Sequence, residues 1–160
     1  MDNYFINTPV GWLCLSGDKD HLSQISFQPG KGEGSGNRLL KECAEQLKSY
    51  FLGKLKVFDV PIALHVSFFQ EKVLKRVREI PFGETRSYRQ LAESMGDPKA
   101  VRAIGNANGK NPLPIIIPCH RVIGSNGSLF GYAAGIWRKK WLLQHESRNI
   151  QLSLFTSPFS

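Results

Sequence analysis

Residues 111–118 read Asn-Pro-Leu-Pro-Ile-Ile-Ile-Pro, three prolines in eight residues. Proline fixes φ, has no amide hydrogen to donate, and pushes the residue before it out of the helical region. The stretch therefore excludes a helix and favours extended chain. Its apolar part, Ile115–Ile117, has to be buried. Whatever the remaining chain builds must enclose a stiff non-helical segment, and that segment delivers Cys119, His120 and Arg121 at its end.

A thiol beside an imidazole and a cation has the ingredients of an activated nucleophile. The competing reading is a buried structural cysteine with two unrelated neighbours. For an isolated Cys-His pair that reading carries more weight, because activation needs pairing in space. Neighbours in extended chain point to opposite faces, so Cys119 and His120 meet only through a tight turn or a bridging water.

The other 150 or so positions set the context. A chain of 160 residues suits one compact unit or two small lobes, and its 41% apolar and 21% charged residues are ordinary for a globular protein. No apolar run reaches the length of a membrane span. Met1-Asp2-Asn3-Tyr4 lacks the basic-then-apolar pattern of a secretory signal, so a soluble cytoplasmic protein is expected. Cys14, Cys43 and Cys119 are an odd, widely spaced set with no disulfide framework. Four scattered histidines give no metal-ligand spacing, and no nucleotide-cofactor motif is present, so neither a metal nor a cofactor is expected. The net charge of +8 favours a polyanionic partner, with DNA the usual candidate.

Short strands are expected at Tyr4–Asn7, Gly11–Ser16 and His21–Phe27, with turns at Pro9 and Gly17-Asp18, forming an antiparallel meander. The glycine-rich residues 28–37 do not fit a phosphate-binding pattern and read as a connector. Leu40, Cys43, Leu47 and Tyr50/Phe51 recur at helical spacing over 38–51, which makes Cys43, like Cys14 in its strand, a core filler. Residues 53–64 form an extended link. Ser67-Phe68-Phe69-Gln70 has capping-box spacing and opens a helix with Phe69, Val73 and Val77 as its stripe, ending by Pro81. Two short helices, Tyr88–Met95 and Pro98–Asn108, break at Gly96-Asp97, with Pro98 in the first turn of the second, as in a helix-turn-helix. The second is bare, rich in Ala, Gly and Asn, with Arg102 projecting. That suits close packing on another helix, or shape-based binding in a minor groove with a wedge side chain. A final helix covers Ile136–Glu146.

The wider stretch Asn111–Val122 resembles the active-site signature of the O6-alkylguanine-DNA alkyltransferases, the methylated-DNA–protein-cysteine methyltransferases. Pro118-Cys119-His120-Arg121-Val122 matches in full, as do Ile80-Pro81-Phe82-Gly83-Glu84-Thr85 and Ser87-Tyr88. Val101-Arg102-Ala103-Ile104-Gly105 and Trp141-Leu142-Leu143 with His145-Glu146 follow in order, so the resemblance covers about residues 67–146. It implies an α+β protein: an N-terminal lobe over residues 1–64, ribonuclease H-like with an antiparallel sheet and helix, a mostly helical, winged-helix-like DNA-binding and catalytic domain over 65–148, and a tail over 149–160.

The resemblance also implies roles. Cys119 is the nucleophile and permanent alkyl acceptor, His120 its base through a water, and Glu146 the orienter of His120. Tyr88 donates a proton to the guanine leaving group, and Asn111 braces the turn carrying the cysteine. Arg102 fills the gap left by a flipped nucleotide. Ala103, Thr85, Ser87, Tyr88 and Arg121 join it on double-stranded DNA, through the minor groove. Cys119, Val122 and Ala133 hold the base by their backbone, with Tyr132 in the lesion pocket. A monomer acting once on O6-alkylguanine is implied, with O4-alkylthymine a candidate second substrate. The chemistry agrees: an alkyl group on O6 lies inside the stack, so the base must be extruded to meet a thiolate.

Leu74 stands where the family often has Trp, and Gly131-Tyr132-Ala133-Ala134-Gly135 has Ala at positions that often carry Ser or Gly. The second departure removes a side-chain contact to O6 and narrows the pocket. Three other readings stay in view: a non-catalytic binder of alkyl lesions, a sequence-specific regulator, and a Cys-His hydrolase. In the tail, Gln151-Leu152-Ser153-Leu154-Phe155 resembles the peptide by which many bacterial DNA-processing proteins bind the replication sliding clamp. The competing reading is a tail that packs on its own chain.

Overall fold

In a computed structural model of the chain, residues 1–129, 132 and 134–155 are described, except for the side chains of 151–155. Ala133, expected in the lesion pocket, lies outside them, as do the side chains of Gln151 to Phe155. Strands β1 (Asp2–Thr8), β2 (Gly11–Gly17) and β3 (Leu22–Gln28) form the expected antiparallel meander. β3 is an edge strand, and its free backbone groups are used. Leu22 donates to Pro61 O and Ile25 donates to Pro112 O, so the link and the proline segment both dock on this edge.

Helix α1 (Arg38–Phe51) starts where the Asn37 side chain accepts from Leu40 N at 2.9 Å, and it ends ahead of Gly53, whose φ of +78° closes the turn. Leu40, Cys43, Ala44, Leu47 and Tyr50 recur at three- and four-residue steps and are buried against the sheet. Cys14 and Cys43 are core fillers, as expected. Burial, then the neighbouring Glu42 charge, pushes the Cys43 thiol up to about 11.

In the C-terminal part, α2 (Phe68–Arg78) differs from its expectation in two ways. Val73, Leu74 and Val77 form its buried stripe, while Phe69 is 41% exposed. Leu74 thus fills a core site without the bulk of Trp. Ser67 caps the helix through Gln70 N, but the Gln70 side chain does not close a capping box. It reaches instead to Ala107 O and Lys110 O, holding the end of α4. The true capping box is at Ser87 and Gln90, opening α3 (Tyr88–Ser94).

Helix α4 (Val101–Gly109) begins after Pro98, not at it. Ala100 donates to Asp97 O and Lys99 donates to the Asp97 side chain, so residues 97–100 are spent on a turn. With Gly96 at φ +77°, α3 and α4 form the expected helix-turn-helix. A two-residue parallel ladder, β4 (Arg86–Ser87) with β5 (Val122–Ile123), joins it to the segment after Cys119. Helix α5 (Ile136–Phe155) runs on beyond Glu146, past the expected start of the tail. One core, from Ile6 in β1 to Leu142 in α5, spans both parts. Among the described residues no helix is long and apolar enough to cross a membrane.

Candidate active site

The proline segment is not the extended delivery strand its prolines suggest. It folds back on itself: Ile117 donates to Leu113 O, and the buried Ile115 takes a φ of +76°, a left-handed conformation rare for a β-branched residue. Asn111 closes this loop from both sides. Its Nδ2 donates to Ile117 O at 2.8 Å, and its Oδ1 accepts from Leu113 N at 2.9 Å. Cys119–Arg121 then form a single 3-10 turn, with Arg121 N donating to Pro118 O. The opposite-face objection to a Cys119–His120 pairing assumed a strand, and there is none here.

Glu146, on α5, is the hub of the site. It is 1% exposed and accepts five hydrogen bonds. Its Oε2 takes Tyr50 Oη–H at 2.6 Å, His120 Nε2 at 2.7 Å and Arg121 Nη2 at 3.0 Å; its Oε1 takes Arg121 Nε at 2.9 Å and Gly83 N at 3.0 Å. Burial alone would favour the neutral acid. The bonds from His120 and Arg121 outweigh it and hold the carboxyl well below the usual range.

An ionised Glu146 requires the proton of His120 on Nε2, which leaves a lone pair on Nδ1. That Nδ1 is buried and has no hydrogen-bond partner in the protein. Burial lowers the His120 pKa despite the Glu146 bond, so the ring is a neutral base. Burial also pushes the Cys119 thiol up, partly offset by Asn111 and by the charge of Lys139. At rest Cys119 is therefore a thiol. A thiol, a neutral imidazole and an ionised carboxylate thus sit in one neighbourhood, with Arg121 neutralising the carboxylate.

Cys119 borders a cavity of about 270 Å³, which Asn111, Pro114, Tyr132 and Ala134 also line. The Tyr132 hydroxyl is buried against the thiol without a hydrogen bond of good geometry. Tyr88 is buried behind the site; burial raises its pKa, and Asn108 hydrogen-bonds to it. Asn108 also donates to Cys119 O at 3.2 Å. The buried Lys139 donates to Val122 O at 2.6 Å, and burial brings its pKa down to about 8. One lone pair of the Val122 carbonyl is thus already occupied.

The residues expected on DNA divide. Arg102, Ala103 and Thr85 are exposed, the first two on α4. Ser87 is half-buried and its hydroxyl caps α3. Arg121 is a correction. It is 5% exposed, its fork grips Glu146, and its Nη1 donates to Ile80 O at 2.6 Å, so it supports the site from within.

Sequence reasoning missed Tyr50, Asn108 and Lys139. Lys139 shares a helix face with Leu142 and Glu146, a spacing that marks it as inward-facing. Asn108 lies one turn after the buried Ile104. Tyr50 was legible as core, but nothing local indicates that its hydroxyl meets a residue 96 positions away. Among the described residues no group of His, Cys, Asp and Glu is placed to hold a metal ion.

Residues 3–64 match the family model of the 6-O-methylguanine DNA methyltransferase ribonuclease-like domain, and residues 68–148 match that of the DNA binding domain. The chain belongs to the methylated-DNA–protein-cysteine methyltransferase family. A relative of that name from Methanosarcina acetivorans is 44% identical over 146 residues, covering 87% of this chain and 94% of the relative. One from Mycobacterium tuberculosis is 42% identical over 147 residues, covering 88% and 89%. The crystal structure of the M. tuberculosis O6-methylguanine methyltransferase superimposes with a TM-score of 0.85 at 40% identity, over 96% of this chain and 98% of that one. The M. tuberculosis protein in complex with DNA gives the same score over 93% and 94%.

Proposed function

We infer that the protein repairs DNA by moving the alkyl group of O6-alkylguanine onto its own Cys119, once per molecule. One observation carries this: a buried thiol on a cavity is followed by a neutral imidazole whose far nitrogen is fixed by an ionised, fully bonded Glu146. A hydrolase would share the pair, but the family membership favours alkyl transfer over turnover.

The step balances without a cofactor. His120 Nδ1 takes the Cys119 proton through one water. The thiolate Sγ attacks the alkyl carbon, and the S–C bond forms as the C–O6 bond breaks. The electron pair stays on guanine, which takes a proton from Tyr88; Tyr88 and His120 then exchange protons with the medium. Asn111 holds the turn, and Cys119, Val122 and Ala133 hold the base by their backbone. Arg102 and Ala103 on α4, with Thr85 and Ser87, face the minor groove of a duplex whose damaged nucleotide is flipped, while Tyr88, expected on DNA as well, is 5% exposed and serves only the buried site. The division into lobe, catalytic domain and tail at 64 and 148 goes with this reading, as do a cytoplasmic monomer and O4-alkylthymine as a second substrate.

Incubation with a duplex containing O6-methylguanine should raise the protein's mass by one methyl group, on the peptide holding Cys119. An unchanged mass despite tight binding would identify a lesion binder instead. The pH profile follows from the base. Because burial lowers the His120 pKa below its ordinary 6.5, the ring stays neutral through that value. The single-turnover rate should therefore hold level from about pH 8 to about pH 6.5 and fall only below it; a midpoint at 6.5 or above would contradict a buried neutral base.

Gln151 to Phe155 are proposed to bind the sliding clamp, on the strength of their Gln-then-apolar pattern. The backbone there is helical, so engagement as an extended peptide requires these residues to leave α5. A pull-down with clamp should retain the full chain and lose one ending at Arg148; equal retention would exclude this partner.

A further inference from the structure

The cavity at Cys119 has a wall from the other lobe: Ile25 and Phe27 of β3 line it together with Ala134. They are two apart in a strand, so their side chains share one face. Ile25 is tied to the catalytic segment by its own amide, which donates to Pro112 O at 2.9 Å. Phe27 pairs with Leu13 in the sheet and packs on the core, and Arg138 at the start of α5 lies over its ring.

Arg138 is placed with unusual care for a half-exposed arginine. Its guanidinium lies 4.7 Å from the Phe27 ring centre and 4.5 Å from that of Trp137. Nε donates to Val10 O at 2.7 Å, in the β1–β2 turn, and Nη1 donates to Ala134 O at 2.6 Å, also on the cavity lining. Gly11 leaves the seat open, since a Cβ there would stand 3.3 Å from Nη2. One fork thus links the aromatic ring of Phe27 to the loop end at Ala134.

We propose that Phe27, held by Arg138, is the wall that sets how large an O6 substituent the pocket accepts. The proposal rests on alkyl transfer to Cys119. A methyl group needs little room beside the thiol. A benzyl group must find space along the apolar border, where Phe27 stands with Arg138 over its ring and tied to Ala134. An apolar pocket discriminates between substituents by volume, and a few methylenes of wall matter strongly.

The test compares duplexes containing O6-methylguanine and O6-benzylguanine, with single-turnover uptake read by mass. Phe27→Leu should raise the benzyl-to-methyl rate ratio by about tenfold, and Phe27→Trp should lower it by a similar factor. Arg138→Gln should shift the ratio in the direction of Phe27→Leu, by less. A merely structural role would slow both substrates together, leaving the ratio within about twofold of the unaltered protein in both Phe27 variants, and that result would overturn the proposal. Were the unaltered protein to take up no methyl at all, the failure would lie in the transfer reading, and the proposal would fall with it.

Discussion

Replacing Cys119 by serine should abolish methyl uptake and leave binding to the damaged duplex intact. The side chains are nearly the same size, and Cys119 is 6% exposed in a turn closed by backbone bonds and by Asn111, so the fold has little to lose. The chemistry has nearly everything to lose. A hydroxyl gives up its proton far less readily than a thiol and attacks carbon more weakly once it has. The expected loss is at least about 10³-fold in single-turnover rate, with no methyl-sized mass gain and an unchanged binding isotherm. The other cysteines are the control. Cys43 lies in the core of the N-terminal lobe with its thiol held near 11, and Cys14 is buried in β2; Cys43→Ala and Cys14→Ser should still take up the methyl group. Methyl uptake by the Cys119 variant would show that a different residue is the acceptor.

Local pattern made much of this legible. The helix near 38–51 is legible from its apolar stripe, and the Asn37 cap and the glycine after it agree with that stripe. The three strands were readable from their turns. Reading failed where two local rules compete or where a partner is remote. Pro98 suits a first helical turn, yet Asp97 captures the amides of Lys99 and Ala100, and α4 starts later. Prolines at 112, 114 and 118 favour extended chain, yet Asn111 folds the segment into a loop that holds Ile115 at positive φ. The resemblance points to Cys119, His120 and Glu146; His120 meets Glu146 at 2.7 Å, and Cys119 opens the same 3-10 turn as His120. Arg121 lies in the same motif, and the resemblance puts it on DNA. Only the fold shows that it serves a buried carboxylate.

That carboxylate supports the second large effect. Glu146→Gln should cost both stability and transfer. The change is nearly isosteric, but all five groups around Glu146 are donors, and an amide puts two of its own N–H bonds among them. Arg121 is left a buried cation without its counter-ion. Removing one partner of such a pair costs about 3–5 kcal/mol, and in a chain of this size the melting temperature should fall by roughly 10 °C. His120 loses the acceptor that fixes its proton on Nε2, so Nδ1 is no longer reliably the base; the methyl-transfer rate should fall by about 10²-fold or more in protein that remains folded. The pH dependence separates this from a packing defect. The folded Glu146 pKa is depressed, so its contribution is present above the ordinary carboxylate value of 4.5 and is lost as pH falls below it. The stability gap between the two proteins should stay constant from pH 7 down to about 5 and narrow progressively in more acid solution. A gap that persists unchanged at pH 3 would mean that Glu146 acts through shape, not charge.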